Sequence, residues 1–395
     1  MTFIFTTEEV RIKNQSKKMK IGIVCYPTFG GSGVVATELG MALADNGHEV
    51  HFITYNQPFR LDFLSHKLHF HQVLIEEYPL FQYQPYELAL SSKMVEVVKK
   101  YHLEVLHVHY AIPHAYAAYM AKQMLLEKGI NIKVVTTLHG TDITLVGSHP
   151  TYKAAVEFSI NHSDVVTAVS NNLKETTNEL FHVNKEIQVI YNFIDIKKYE
   201  KAQDEECNRN ALATPEERII THISNFRKVK RIEDVIKIFY EVQKEIPSKL
   251  LLVGEGPERI KAENLTKKLK IKDSVYFLGN STEVTKILCY SDLFLLPSQT
   301  ESFGLAALEA MAARTPVIST NTGGLPEVNI HGVTGYLSDL EDIDDMAKNA
   351  ISILKDDKTL NRFKTNAVEH AKKFSIQNIL PVYEEVYKSC YKVKD

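Results

Sequence analysis

The predicted fold class is α/β, with two Rossmann-like parallel-sheet domains facing a cleft, and three observations predict it. The chain has 395 residues, too many for one ordinary hydrophobic core, so two domains of similar size are expected. Short apolar runs alternate with helical stretches along the whole length, the pattern of a parallel sheet covered on both faces. That pattern restarts after a polar stretch, Lys197–Glu217, rich in Lys, Glu, Asp and Asn, which reads as a linker between two sheets.

Taken in order, residues 1–18 read as a poorly ordered extension, since the first clear strand starts at Lys20. The extension lacks the apolar block and cleavage site of a signal peptide. Lys20–Tyr26 is a β-rich run that ends in Gly30-Gly-Ser-Gly33 and opens an amphipathic helix from about Val34 to a stop at Asn46-Gly47. Further strands are expected near Glu49–Tyr55, at Val105–His109 and at Lys133–Leu138. The second set is Arg218–Ile223, Lys249–Val253, Ser274–Leu278, Asp292–Leu296 and Pro316–Ser319. The expected division is an N-terminal domain over 19–195 and a C-terminal Rossmann-like domain over 196–375. A C-terminal helix, 376–395, is expected to pack back toward the first domain. Histidine use splits the same way, with 13 of 16 before residue 190, so the halves are expected to do different chemical work.

Composition excludes several classes. The chain is 44% hydrophobic and 24% charged with a net charge of -3, which is ordinary for a globular protein and leaves no basic footprint for nucleic acid. Cys25, Cys207, Cys289 and Cys390 are scattered, without the spacing of a zinc ribbon or a disulfide scaffold, as suits a reducing compartment. No apolar run approaches the length of a membrane span. A cytoplasmic protein with no membrane partner is expected, and the composition is equally compatible with a monomer or a homodimer.

Ligands in doubly wound sheets sit beyond the carboxyl ends of the strands, so the loops after strands carry the chemistry. Gly30-Gly-Ser-Gly33 follows the first strand but is not G-x-G-x-x-G, and no acidic residue closes the second strand as a dinucleotide site requires. A tight strand-to-helix turn explains it as well as a site does, although its glycines would let a ligand approach the backbone of Gly31. The strongest constellation is Pro297-Ser-Gln-Thr-Glu301-Ser-Phe-Gly-Leu-Ala-Ala-Leu-Glu309. It follows a strand and leads into a helix, so the first amides, near Phe303, Gly304 and Leu305, are placed to bind a phosphate. Glu309, in an Ala/Leu/Met run, can accept two hydrogen bonds from neighbouring hydroxyls such as those of a ribose. The alternative is a solvated helix with ordinary acidic residues.

The Glu301/Glu309 pair, Leu-Pro-Ser before it, Gly323-Gly-Leu-Pro-Glu327-Val and Gly335-Tyr-Leu together resemble the large retaining glycosyltransferase family with the GT-B fold. The resemblance covers nearly all of residues 19–395. Cys25-Tyr-Pro, Gly30–Gly40, His107–His114, Thr136–Asp142 and Ser224–Arg231 narrow it to the transferases that open bacillithiol synthesis. That resemblance implies transfer of N-acetylglucosamine from UDP-N-acetylglucosamine to the hydroxyl of L-malate. It also implies that Glu309 holds the donor ribose, that Phe303–Leu305 amides hold the diphosphate, and that Glu301 and His139 lie near the transferred sugar. An Arg and a Lys after the first strand of the second domain neutralise the leaving diphosphate. Arg227 and Lys230 fit that role, although their spacing is shorter than in many relatives and Lys228 and Arg231 compete. Arg314 stands where relatives often have a small residue.

The first domain is expected to hold the acceptor. A dianion needs cationic or amide donors, and Ser32, Arg60, Tyr110 and Thr137 fall at loop or strand ends. Arg60 alone among them carries a full charge. No metal or cofactor is expected: His107-x-His109 lacks a matching third ligand in the sequence, and Asp342-Ile-Asp344 reads as a helix cap. Retention implies attack from the leaving-group face, with the departing phosphate oxygen taking the acceptor proton. Double displacement through Glu301 or Asp142 remains open, as do a lipid or sugar acceptor, a UDP-sugar epimerase or hydrolase, and a non-catalytic sugar-nucleotide sensor.

Overall fold

The computed structural model describes residues 17–28, 30–61, 65–75, 83–204, 209–210 and 212–391; most of the extension expected over 1–18 lies outside them. A seven-stranded sheet runs in the order β3-β2-β1-β4-β5-β6-β7. Its strands are β1 Lys20–Val24, β2 Glu49–Thr54, β3 Leu68–Gln72, β4 Val105–His109, β5 Lys133–Leu138, β6 Val165–Ala168 and β7 Ile187–Val189. A six-stranded sheet runs β10-β9-β8-β11-β12-β13, from β8 Arg218–Ile223, β9 Ser248–Val253, β10 Val275–Gly279, β11 Leu293–Leu296, β12 Val317–Thr320 and β13 Gly335–Ser338. The pairings are parallel in both. By internal contacts the chain forms two compact units. One holds the residues up to Thr137, Pro150–Val166 and those from Tyr387 on; the other holds Leu138–His149 and Thr167–Val386.

Each sheet reverses its strand order once, between β1 and β4 in the first and between β8 and β11 in the second. Those reversals open a crevice at the carboxyl ends of the strands. The loops there contain Gly30–Ser32 and Tyr110 in one unit, and Arg227–Lys230 and Glu301–Gly304 in the other.

The expected strands form within a residue or two of their predicted limits. β3, β6, β7 and β13 were not predicted: three of them have only three or four residues, and β3 (Leu-His-Phe-His-Gln) has too few apolar side chains to read as a buried strand. The helices follow the amphipathic rule. Tyr86–Tyr101 buries Leu90, Met94, Val97 and Val98 at helical spacing, and Ile232–Gln243 buries Ile232, Val235, Ile236, Phe239 and Val242. Among the described residues no helix is long and apolar enough to cross a membrane. Cys289 is disulfide-bonded, which corrects the expectation of unpaired cysteines.

One buried charge ties the second sheet to its helices. Asp292, just before β11, is 2% exposed. It accepts from Lys364 Nζ at 2.8 Å, Arg209 Nη1 at 3.0 Å and the Ile219 amide of β8 at 3.0 Å. Burial alone would raise its pKa, but Lys364 and Arg209 outweigh it and hold the carboxyl below its ordinary value. Replacing Asp292 by Asn leaves two cations facing a neutral amide, so urea unfolding should show a loss of about 3–5 kcal/mol. A change within about 0.5 kcal/mol would show that this cluster does not secure the sheet.

Candidate active site

The second unit builds its site around one loop. The segment Ser298–Gly304 leaves β11 and ends at the N-cap of the helix Leu305–Ala312. Glu301 sits in that loop, where its Oε1 takes the Lys230 ammonium at 2.6 Å and the Ser298 hydroxyl at 2.9 Å. Both charged side chains are only partly exposed, 21% for Lys230 and 13% for Glu301, so the pair is stronger than a surface ion pair. The amides of Phe303, Gly304 and Leu305 donate to no acceptor among the described residues. An anion placed there meets unpaired N–H groups and the positive end of the helix. Glu309 lies one turn further along and is half-buried, on the same helix face as Leu305.

Backbone contacts hold this loop from two sides. Gly323 has φ 59, and a Cβ there would lie 2.0 Å from the Glu301 carbonyl oxygen; the next amide, of Gly324, donates to that oxygen at 2.9 Å. From the other side comes Gly140, with φ 105, where a Cβ would meet Ser302 Oγ at 1.7 Å. No residue with a side chain fits either place. Gly140 follows His139, and both amides donate to Asp142 Oδ1, at 3.0 and 3.2 Å. Asp142 is thus a buried turn anchor. Ser170 adds a bond from its hydroxyl to the Ser302 carbonyl at 2.6 Å. Glu327, from the Gly-Gly-Leu-Pro-Glu motif, caps the helix Asn171–Leu180 by accepting from the Asn171 and Asn172 amides, each at 2.9 Å.

The cations after β8 sort themselves by their partners. Arg231 is held by Asp234 and by Glu341 at 2.8 Å. Arg227 and Lys228 are exposed, with no ion-pair partner among the described residues. Behind them, buried His222 bonds the Leu295 carbonyl through Nδ1 at 2.8 Å and Ser224 Oγ through Nε2 at 2.7 Å. Burial pushes its pKa down to about 4. It is therefore neutral near pH 7, and its Nδ1–H donates to the carbonyl.

In the first unit, Ser32 Oγ and Tyr110 OH lie 2.5 Å apart. Tyr26 packs edge-on against Tyr110, with ring centroids at 5.4 Å, and against His114 at 4.5 Å. Tyr110 has φ 87, a backbone state that costs a tyrosine on the order of 1–3 kcal/mol and that clusters at functional sites. Its amide donates to the Thr137 carbonyl at 2.9 Å. Nothing lies within 4 Å of a Cβ built on Gly30 or Gly31, so that turn has open space beside it. Arg60 is ion-paired with Glu38 of the helix Ser32–Asp45 at 3.1 Å. Thr137 is fully buried, with its hydroxyl on His107 Nε2 at 2.7 Å. The other His107 nitrogen faces Tyr387 OH at 2.8 Å.

These loops have counterparts in known proteins. Residues 29–198 match the model of Glycosyltransferase Family 4, and residues 204–370 match that of Glycosyl transferases group 1. N-acetyl-alpha-D-glucosaminyl L-malate synthase of Bacillus anthracis is 50% identical, covering 94% of this chain and 97% of its own. The chain belongs to the glycosyltransferases. An uncharacterized glycosyltransferase of Methanocaldococcus jannaschii is 30% identical over 94% of the chain and 98% of its own. Among solved structures, Anabaena HepE in complex with UDP and glucose superposes with a TM-score of 0.76 at 19% identity, covering 94% of this chain and all of that one. A Rickettsia africae glycosyltransferase reaches 0.77 at 20% identity, over 95% of this chain and all of that one. Both share the fold, and the two parallel-sheet domains are of the GT-B type.

In this glycosyltransferase the structure brings Glu301, Lys230, the Phe303–Leu305 amides and the His139 turn onto one frame, and it pairs Ser32 with Tyr110. Thr137 stands one step behind Tyr110, and Arg60 is engaged by Glu38. Sequence reasoning missed Ser298, Glu38 and the Gly254-Glu-Gly256 turn, where a Gly256 Cβ would lie 2.1 Å from the Asn225 carbonyl. Ser298 and Glu38 stand within motifs already quoted, Leu-Pro-Ser and Gly30–Gly40, and the glycine pair after β9 is also visible in the sequence. Asp342 caps its helix, accepting from the Asp345 amide at 3.0 Å. Arg314 occupies an exposed left-handed turn, φ 62, a backbone state that favours glycine over residues with a side chain.

Burial lowers the pKa of both His114 and His222 from 6.5 to about 4. Below pH 6.5 the unfolded chain takes up these protons while the folded chain does not. The stability present above 6.5 is therefore lost progressively as pH falls toward 4. Urea midpoints should drop between pH 7.5 and 5, and His222→Gln should flatten that slope; an unchanged slope in the variant would remove His222 as a cause.

Proposed function

We propose that the chain transfers N-acetylglucosamine from UDP-N-acetylglucosamine to the hydroxyl of L-malate with retention at the anomeric carbon. The geometry that carries the transferase reading is the Lys230–Glu301 pair at 2.6 Å, beside helix amides that have no acceptor of their own. The choice of donor and acceptor is supported by the 50% identity to the malate synthase over almost the full length of both chains. A cytoplasmic location fits these small, charged substrates.

In the proposed reaction the diphosphate settles on the Phe303–Leu305 amides, and Glu309 accepts from the ribose hydroxyls. Arg227 and Lys230 meet the charge that builds on the leaving phosphate, the usual task of fixed cations where no metal takes part. The bond from the anomeric carbon to the phosphate oxygen breaks as the malate oxygen attacks from the same face. The hydroxyl proton passes to the departing phosphate oxygen. His139 and Glu301 contact the sugar, and Lys230 orients Glu301. Engagement of Asp142 by two backbone amides favours this route over double displacement through Asp142. For the acceptor, Ser32 and Tyr110 donate to malate, and Arg60 turns from Glu38 toward a carboxylate. Gly31, with open space beside it, leaves room for a ligand at the backbone of the first unit.

Incubating the purified chain with UDP-N-acetylglucosamine and L-malate should give the glycosylated malate by mass spectrometry. Sugar released without malate would point to a hydrolase, and transfer only to a lipid or a neutral sugar would end the malate reading. Arg227→Ala and Lys230→Ala should each fold normally and lower turnover by about 10²-fold or more; near-normal rates in both would mean that other cations serve the diphosphate. Arg60→Ala should raise the malate KM by about tenfold or more while UDP affinity stays put, as loss of a partly solvated charge partner does. Normal malate kinetics in that variant would discard the Arg60 contact.

A further inference from the structure

The histidines of the first unit are not all accounted for by the acceptor loop. β2 and β3 pair in parallel with His51 opposite His69 and Ile53 opposite His71. Because side chains alternate along a strand, Glu49 and His51 of β2 and His69 and His71 of β3 stand on one face of the sheet. His51 is buried, and its ring stacks on His69 at 4.5 Å between centroids with 17° between planes. Tyr101 packs against the group, 4.6 Å from His51 and 5.0 Å from His71.

We propose that Glu49, His51 and His69 bind one divalent transition ion of the zinc class, with His71 fixing the His51 ring and water completing the coordination. One ligand atom from each of the three lies within 4.8 Å of those of the other two. His51 Nε2 is 3.1 Å from Glu49 Oε1, and His69 Nε2 is 3.8 Å from the same oxygen. Ligands at zinc–nitrogen and zinc–oxygen distances of about 2.0–2.1 Å in a tetrahedron stand about 3.3 Å apart. The two measured separations bracket that value, so small side-chain rotations suffice. Two imidazoles and a carboxylate suit zinc, nickel or copper rather than magnesium or calcium.

The surroundings fit as well. Lys20 holds the other Glu49 oxygen at 3.0 Å, which leaves Oε1 toward the histidines. His51 Nδ1 lies 2.9 Å from His71 Nε2. In the ligated state the His51 proton sits on Nδ1 and is donated to His71, the outer bond that fixes the tautomer of a metal-bound imidazole. Glu49 begins β2 and His69 is the second residue of β3, whereas the transferase loops lie at the carboxyl ends of the strands. The ion is thus remote from the chemistry; it pins the edge strand β3 to β2 and is distinct from any metal at the diphosphate.

The test uses the full chain, free of any histidine tag and stripped with chelator. Calorimetric titration with zinc chloride should show one ion per chain, and zinc should raise the melting temperature. Glu49→Gln and His69→Ala, both at partly exposed positions, should each weaken the zinc Kd at least tenfold. His66→Ala, at an exposed position just before β3, should leave it unchanged. On the wild type alone, cobalt should give the visible bands of a low-symmetry four-coordinate site. Zinc affinity equal in wild type and both ligand variants, or a wild type that shows neither zinc uptake nor cobalt bands, would overturn the proposal.

Discussion

The site of the second unit depends on backbone meeting backbone around Glu301 and Ser302. A loop that must offer free amides to a ligand cannot use those amides to hold itself in place. It is held instead through its carbonyls, by the Gly324 amide on Glu301 and the Ser170 hydroxyl on Ser302. Gly140 and Gly323 are what allow the neighbouring segments to come so close. The carbonyls face inward, which leaves the N–H groups of Phe303–Leu305 for an anion. The motifs around His139, Glu301 and Gly323 are therefore three walls of one loop rather than three separate features.

Charge is arranged on that frame with the same economy of contact. Of the four cations in Arg227–Arg231, Arg231 is tied to Asp234 and Glu341, and Lys230 is tied to Glu301. The Lys230 pair is half-shielded, so each partner fixes the position of the other. His222 lies beneath the same turn, uncharged because it is buried, and so adds no charge of its own to the basic run above it. Its two hydrogen bonds instead connect β11 to the Ser224–Phe226 turn, from which the basic run departs.

The first unit solves a different problem. Its loop after β1 leaves open space at Gly30 and Gly31 but closes tightly at Gly33, where a Cβ would lie 2.5 Å from the Tyr26 carbonyl. The strained Tyr110 and the Ser32 hydroxyl are joined at that opening. Thr137 and His107 form a buried support behind them. In the reaction proposed above, the acceptor would meet these hydroxyls and Arg60 rather than a fixed cluster of cations.

Much of this was legible in the sequence. Alternating apolar runs gave the two parallel sheets, because a strand buried on both faces has to be apolar throughout, and the loops after β1, β4, β8 and β11 announced themselves by Gly, His, clustered Arg and Lys, and Glu set between such runs. Glu301 and Lys230 were each identifiable, but not their ion pair, since 71 residues separate them and no local rule spans that distance. The tertiary structure alone decided that Arg60 pairs with Glu38, that Thr137 faces inward, and that Asp142 is a turn anchor. It alone also brought Glu49, His51, His69 and His71 to one face, because register between parallel strands is set by the packing of the whole sheet. Sequence determines which groups can do chemistry; only the fold decides which of them meet, because contact between distant segments follows from how strands and glycines let backbones approach.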